Sequence, residues 1–446
     1  MSLSDPLARL EAALAESLRP HLATGSRVWL AYSGGVDSEL LALCLARWGK
    51  RHPSHSLHLI HVHHGLSQFA DQWAEHCIAR ATALALPLEV VRVTLQQGPR
   101  TSVEASARQA RYQAFAERLA PGDCLLTAHH LDDQAESMLL ALKRGSGPRG
   151  LSAMAPAQPF GGGTLLRPWL TIRRREIEAV AQAEALLHIE DDSNTDTRFD
   201  RNFLRHQVLP LLNARWPGFS QTAARSAALC AEQQQLCDEL AQADLAQYQQ
   251  PDGALSVTGL NQLSQARRNN LIRFWLRGQG AQMPSQAQMV AMAPLWQARE
   301  DAQPQLDWGG HSLRRFRNAL YLVAPQPVLP LTEEPIAPPQ GASLANGQVW
   351  HFEIREQGLR LRLPEPGQKV TVRYGLPGNL RLKPQGRSGS RPLKKLWQEQ
   401  GVPPWKRGHV AMLCYDEEVV AALGYWLESA ALCESGPGWV PRMEHQ

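Results

Sequence analysis

Two hydrophobic periods take turns along the first half of the chain. Leu7, Leu10, Ala13, Leu14 and Leu18 recur at helical spacing, so a helix opens the chain. Residues 27–32 form a short apolar run that reads as a strand, and the apolar positions of 39–46 read as a helix. Further strands are expected at 57–63, 88–93 and 124–128, with helices at 73–84, 103–119 and 132–142. Strands alternating with helices of this length predict βαβ units, and therefore an α/β fold with a parallel, doubly wound, Rossmann-like sheet. Ligands of such sheets bind beyond the carboxyl ends of the strands, which is where the unusual polar residues of this chain fall.

The pattern changes after Trp216-Pro217-Gly218. An Ala/Gln-rich helix is expected over 221–247, followed by a helical region carrying Arg267, Arg268, Arg273 and Arg277. Pro325, Pro327, Pro330, Pro335, Pro338 and Pro339 then argue for an extended linker. Beyond it the alternation of 359–363 and 370–373, with closing strands at 410–413 and 419–422, is that of β structure. The expected organisation is a catalytic domain over residues 1–216, a mainly helical domain over 217–324, a proline-rich linker over 325–345 and a small α+β domain over 346–446.

Composition narrows the class. A chain of 446 residues calls for two or three domains, and an apolar share of 43% supplies their cores. The net charge of +4 is mild, so a nucleic-acid surface must be a local patch. The seven cysteines include no Cys-x-x-Cys pair and read as reduced residues of a cytoplasmic protein, without a metal cluster. The first residues lack the basic start and apolar run of a signal peptide, and no apolar stretch is long enough to span a membrane. Nothing in the sequence specifies an oligomeric state.

The chemistry centres on Ser33-Gly34-Gly35-Val36-Asp37-Ser38, between the first expected strand and its helix. A tight glycine turn entering a helix presents free backbone N–H groups and the positive end of the helix dipole, so an anion is the expected guest. Asp37 would repel a phosphate unless a cation sits between them, which implies magnesium. The loop is not a Walker A motif, because no Gly-Lys-Ser/Thr follows the glycines. At the second strand end, His61, His63 and His64 could bind a metal or touch an adenine or ribose. No carboxylate or cysteine lies nearby in sequence, which favours the nucleotide, with His64 in the loop.

Glu104, Arg108, Arg111 and Tyr112 share a helix face, which read alone is a solvated ion-pair stripe. Asp133 and Glu136, three residues apart on the helix after the fourth strand, form an anionic pocket for an ammonium group or a magnesium ion. A basic glycine-rich loop with Arg144 and Arg149 follows, suited to a phosphate backbone. Arg201 and Arg205 face one way on a later helix, while Arg173 to Arg175 read as a solvated run. Near the other end, Arg391, Lys394 and Lys395 stand among Trp397 and Trp405, a pattern that suits RNA or a solvated basic face.

The loop resembles the pyrophosphate-binding loop (PP-loop) of the ATP pyrophosphatase superfamily, which reads SGGxDS. Taken in order, SGGVDS, HVHHGLS, VEASARQARY, AHHLDDQAES, KRGSGPRGL, LLRPWL and EDDSNTDTRFDRNFLRHQVLP resemble the tRNA(Ile)-lysidine synthase family over residues 28–212. His63 and Ser67 depart from the HVNHGLR that members often carry. The resemblance implies an ATP- and magnesium-dependent ligase that joins L-lysine to C2 of the wobble cytidine in the CAU anticodon of tRNA(Ile), releasing AMP and pyrophosphate. It implies that residues 33–38 and His64 hold ATP, that Asp37 bridges magnesium and substrate, that Arg108 lies near the α-phosphate and that Asp133 and Glu136 hold the lysine. It further implies that the Arg201 and Arg205 segment closes over the ATP and meets the anticodon stem. A likeness to the C-terminal domain of the long form implies that the Arg391, Lys394 and Lys395 segment meets the acceptor stem. Another PP-loop tRNA modifier, such as a cytidine 2-thiolase, is the alternative, and the missing Cys-x-x-Cys counts against it.

Overall fold

Val28 and Leu30 of strand β1 (Arg27–Ala31) pack into one apolar cluster and Trp29 into another, so β1 is buried on both faces. A strand buried in this way belongs at the centre of a sheet with helices on either side. The computed structural model describes residues 5–444 apart from 24, 66, 95–102, 191–194, 300, 301, 303, 326, 330–332, 339 and 340.

The chain enters through α1 (Pro6–Leu18), capped by Asp5, whose side chain accepts from the Leu7 amide. After β1 come α2 (Val36–Arg51), β2 (Ser56–His63), α3 (Ala70–Ala83), β3 (Leu88–Arg92) and α4 (Val103–Ala116). Then follow β4 (Cys124–Leu126), α5 (Leu131–Lys143), α6 (Pro148–Leu151), β5 (Ala157–Phe160), β6 (Gly163–Leu166) and α7 (Arg174–Ala183). The sheet order is β3-β2-β1-β4-β6-β5, parallel except for the edge strand β5. α1, α2 and α7 cover one face through Leu10, Leu14, Leu41, Leu45 and Ile177, while Phe115 at the end of α4 packs on the other. The expected α/β class and doubly wound sheet are therefore present. The chain winds outward from β1 to β3 and returns to β4 beside β1, so the switch point lies beyond the carboxyl ends of β1 and β4.

The later helix expected to carry Arg201 and Arg205 is broken into α8 (Asp200–Phe203), a π-helical turn (Leu204–Val208) and α9 (Leu209–Arg215). Pro210 has no N–H to donate one turn back, and the Leu209 amide bonds instead to the Leu204 carbonyl, five residues earlier.

Internal contacts divide the chain into two units between Glu239 and Leu240, inside the helix Phe219–Tyr248. In the second unit, helices including Gln265–Gly278 pack against a four-stranded antiparallel sheet of Leu255–Ser256, Ala319–Val323, His311–Phe316 and Gln305–Trp308. The segment read as mainly helical thus also carries a sheet. Its edge hairpin turns through Gly309 and Gly310, both with positive φ (53° and 80°), which two-residue turns of this hand require. Farther on, Val370–Arg373, Met412–Tyr415 and Glu418–Ala422 lie in a five-stranded sheet and Val349–Arg355 and Gly438–Met443 in a four-stranded one. Two pieces of the proline-rich stretch, Glu334–Pro335 and Ala342–Ser343, pair with these sheets.

Candidate active site

Residues 33–38 fill the β1 side of the switch point as a loop and the first turn of α2. The Ser38 hydroxyl organises the turn: it accepts from the Gly34 amide (3.1 Å) and the Ser33 amide (3.3 Å) and donates to the Gly35 carbonyl (3.0 Å). Ser33 Oγ lies 3.0 Å from it. Gly34 has φ +83°, and a Cβ there would stand 2.5 Å from Ile189 Cδ1 and 2.9 Å from Cys77 Sγ. The segment at Ile189 crosses over the loop, its amide donating to the Gly34 carbonyl at 2.8 Å. Gly35 is the N-cap of α2 and offers no side-chain oxygen, so the first-turn amides keep their capacity for an anion.

A buried network under the loop ties its two ends together. Tyr32, which precedes it, donates its hydroxyl to Glu39, which follows it on α2. Glu39 is fully buried, and Arg80 of α3 donates Nε to its other oxygen at 2.8 Å. Burial first, then the hydrogen bond to Glu39, pushes the Tyr32 phenol far above its ordinary range.

Asp37 points toward β4. Its Oδ2 lies 3.9 Å from His130 Nε2, and its Oδ1 is buried without a hydrogen-bond partner. Burial raises its pKa. His130, 1% exposed, is the N-cap of α5 and makes a reciprocal cap with Asp133: its amide donates to Asp133 Oδ2 (3.0 Å) and its Nδ1 accepts from the Asp133 amide (3.3 Å). One turn on, Glu136 is fully buried. The π-helical turn delivers Arg205 to both carboxylates, with Nε to Glu136 Oε1 at 2.7 Å, Nη2 to Glu136 Oε2 at 3.0 Å and Nη2 to Asp133 Oδ1 at 2.9 Å. Arg201 Nε lies 3.0 Å from Glu136 Oε2, and its Nη2 donates to Ser137 Oγ at 3.0 Å. Arg201 and Arg205 do face one way, and it is inward.

The two carboxylates differ in proton affinity. Burial alone would raise Asp133, but His130, His129, Arg201 and Arg205 outweigh it and hold it down at about 2. Glu136 is raised by burial, with Arg205 acting against the rise. His130, the hub between Asp37 and Asp133, was not singled out from the sequence. Its place two residues before the acids Asp132 and Asp133 at a helix start was the available signal.

The remaining candidates are more dispersed. His64 follows β2, its Nε2 accepting from Arg111 Nε at 3.2 Å, and burial followed by the Arg111 charge lowers its pKa to about 4. Arg108 is exposed on α4 with its guanidinium carbon 4.8 Å from the Tyr112 ring centroid, and its charge reaches His129. The Glu104 side chain lies outside the described residues. Arg144 ends α5, exposed, and Arg149 reaches Asp238 at 2.5 Å. Arg391, Lys394 and Lys395 belong to the second unit, exposed on the strand Arg391–Pro392 and the helix Leu393–Glu399, whose other face buries Leu393, Leu396 and Trp397.

Among the described residues no group of three or more His, Cys, Asp and Glu side chains could hold a metal alone. The partnerless Asp37 Oδ1 beside the phosphate loop nevertheless fits magnesium, which is held by one or two carboxylates together with substrate phosphates.

A PP-loop domain model matches residues 6–212, a TilS substrate binding domain model residues 255–321 and a TilS substrate C-terminal domain model residues 370–443. The chain is 46% identical over 434 residues to tRNA(Ile)-lysidine synthase of Serratia proteamaculans (strain 568), with 96% of this chain and 97% of that one covered. The chain belongs to the tRNA(Ile)-lysidine synthase family. The enzyme of that name from Escherichia coli O157:H7 is 45% identical over 436 residues, covering 95% and 97% of the two chains. That from Yersinia pseudotuberculosis serotype O:1b (strain IP 31758) is 44% identical over 454 residues, covering 96% and 97%. Membership makes the chain an ATP-using ligase with a tRNA substrate.

Proposed function

We propose that the chain joins L-lysine to C2 of the wobble cytidine in the CAU anticodon of tRNA(Ile), in two steps that convert ATP to AMP and pyrophosphate. The observation that carries this reading is an anion site and a cation site side by side. The uncapped first turn of α2 offers amides to phosphate oxygens, and the adjoining pair Asp133 and Glu136 already binds a guanidinium through three hydrogen bonds.

In the first step the cytidine O2 attacks the α-phosphorus, and charge builds on the departing pyrophosphate. The amides of residues 36–38 are fixed dipoles aimed at that charge. Magnesium, held by Asp37 and the phosphates, would neutralise part of it. Arg108 and His64 line the nucleotide and approach the α-phosphate and the adenosine. In the second step the ε-amine must lose a proton before it attacks C2, because its ordinary pKa is about 10.4. Asp133, held ionised, anchors the ammonium, while Glu136, raised by burial, is the better proton acceptor near neutrality. Arg144 and Arg149, with Arg391, Lys394 and Lys395, meet tRNA phosphates; Arg201 and Arg205 could join them only on leaving the carboxylates.

A thiolase reading finds little support in the thiols. Cys77, next to the loop, is buried and pushed up to about 12, which leaves it a poor nucleophile. The cysteines form no disulfide among the described residues, which suits a reducing cytoplasm. The deciding assay is incorporation of labelled L-lysine into transcripts with ATP and magnesium. Incorporation into CAU-anticodon tRNA(Ile), absent from tRNA(Met) and lost in Asp37→Ala and Asp133→Asn, is the expected result. ATP cleavage without lysine transfer to that tRNA would overturn the substrate assignment.

A further inference from the structure

The second unit carries a cleft of about 640 Å³ remote in sequence from the loop chemistry. We propose that it binds an unpaired base at the single-stranded end of an RNA, a proposal that rests on the chain's acting on tRNA.

The wall of the cleft is built for a flat ring. Trp405 lies on the short helix Pro404–Arg407 and is braced edge-on by Phe316 (centroids 6.1 Å apart, 81°) and by Tyr321 (5.5 Å, 64°). Its ring plane is therefore set before any ligand arrives. Arg314 holds its guanidinium carbon 5.7 Å from the Trp405 centroid and is itself fixed by a 2.8 Å bond from Nε to Ser312 Oγ. A planar cation beside an indole is a surface on which a nucleobase stacks, whatever its sequence. Trp308 also lines the cleft, its indole N–H committed to the Gln282 carbonyl at 2.9 Å.

The polar groups are few and of the kinds that read a base edge. His409 lines the cleft, and its Nδ1 is buried without a hydrogen-bond partner. An orphaned imidazole nitrogen is costly to leave unpaired and is satisfied by a ring nitrogen, carbonyl or exocyclic amine of a base. His311 and the Asp307 carboxylate add an imidazole and an acceptor. Gly310 forms part of the lining, and a Cβ there would stand 3.7 Å from Pro325 Cγ of the same lining, so the missing side chain leaves room in the cleft.

Charge selects the kind of chain that brings the base. Lys406 is exposed, and Arg407 follows it in the same helical turn as Trp405, whereas Asp307 is the one acid in the lining. A phosphodiester strand leaving the cleft thus meets cations, while an apolar peptide would leave the histidine nitrogen and the guanidinium without polar partners.

The test uses the full chain and a labelled RNA hairpin, with or without a single-stranded 3′ extension of four nucleotides, followed by fluorescence anisotropy in the absence of ATP and lysine. Failure of the ligase reading therefore does not disturb it. The extension is expected to tighten binding about tenfold, the order of one stacked base. An extension of abasic residues should not. Trp405→Ala and, independently, His409→Ala should abolish the gain while leaving affinity for the blunt hairpin unchanged. His409→Ala keeps the test valid if Trp405→Ala disturbs the packing of Phe316 and Tyr321. Equal binding of blunt and extended hairpins by the unmutated chain would overturn the proposal, as would an abasic extension as effective as the natural one. A gain that survives in both variants would overturn it too.

Discussion

Replacing Gly34 by alanine separates two reasons why the loop needs glycine. The first is the backbone: at φ +83° an alanine pays about 1–2 kcal/mol for the left-handed conformation. The second is space: the new methyl would stand 2.5 Å from Ile189 Cδ1 and 2.9 Å from Cys77 Sγ, well inside contact distance. Ile189 Cδ1 is the far end of a flexible side chain and can turn away, but Cys77 is fully buried on α3, so overpacking adds about 1–2 kcal/mol. The expected loss for Gly34→Ala is about 2–4 kcal/mol, read as the shift in denaturant midpoint of the full chain. Cys77→Ala in the same chain should return about 1 kcal/mol of the steric part and none of the backbone part, a non-additive pair of favourable sign. Pyrophosphate release should fall in both variants, because the α2 amides move with Gly34. Gly34→Ala within about 0.5 kcal/mol of the unmutated chain, or strictly additive costs in the double variant, would refute the reasoning.

Glu39→Gln keeps the size of the side chain but leaves Arg80 without its charge partner. A loss of about 2–4 kcal/mol and a raised KM for ATP are expected, and an unchanged midpoint would show that the network under the loop carries no strain-bearing tie. Burial pushes His129 from 6.5 down to about 4, so between these values the unfolded chain takes up a proton that the folded one refuses. Stability is therefore lost as pH falls from 6.5 toward 4, and His129→Gln should make the decline of Tm with acid shallower; a parallel decline in the two chains would contradict the assignment. Lys394→Ala together with Lys395→Ala should reduce the slope of log affinity for tRNA against log salt by about 2, and an unaltered slope would remove both from the RNA surface.

The fold is most legible in the sequence where chemistry and period coincide. Strand β1, the loop and α2 were visible together because an apolar run, two glycines and a helical pattern meet within a few residues, and the alternation that follows leaves little choice but a parallel sheet. The pairing of Arg205 with Glu136 was not legible: the two are 69 positions apart, and the turn that joins them is a π-helical irregularity caused by Pro210. Periodicity alone would have continued an α-helix. Glu39 carries no sequence signal of its own, and only the tertiary structure, by bringing Arg80 from α3, makes it a buried anchor. The hairpin around Gly309 and Gly310 escaped because strands of four and six residues carry too few alternations to stand out beside helices. The proline-rich stretch read as a linker for its composition, yet two residues at each of two places suffice to pair with a sheet.

The arginine that fills the acidic pocket has a consequence for which molecules can enter it. Asp133 and Glu136 are not vacant acceptors; they are engaged by a ligand tethered to the same chain. A tethered ligand competes at an effective concentration on the order of millimolar, whatever the bulk solution contains. Any free cation must therefore outbid Arg205, and a simple amine or potassium ion, which can offer only charge, gains nothing by the exchange. A molecule with further contacts elsewhere in the site does gain. The pocket thus behaves as a threshold, quiet toward ambient cations and responsive to one that brings additional recognition with it.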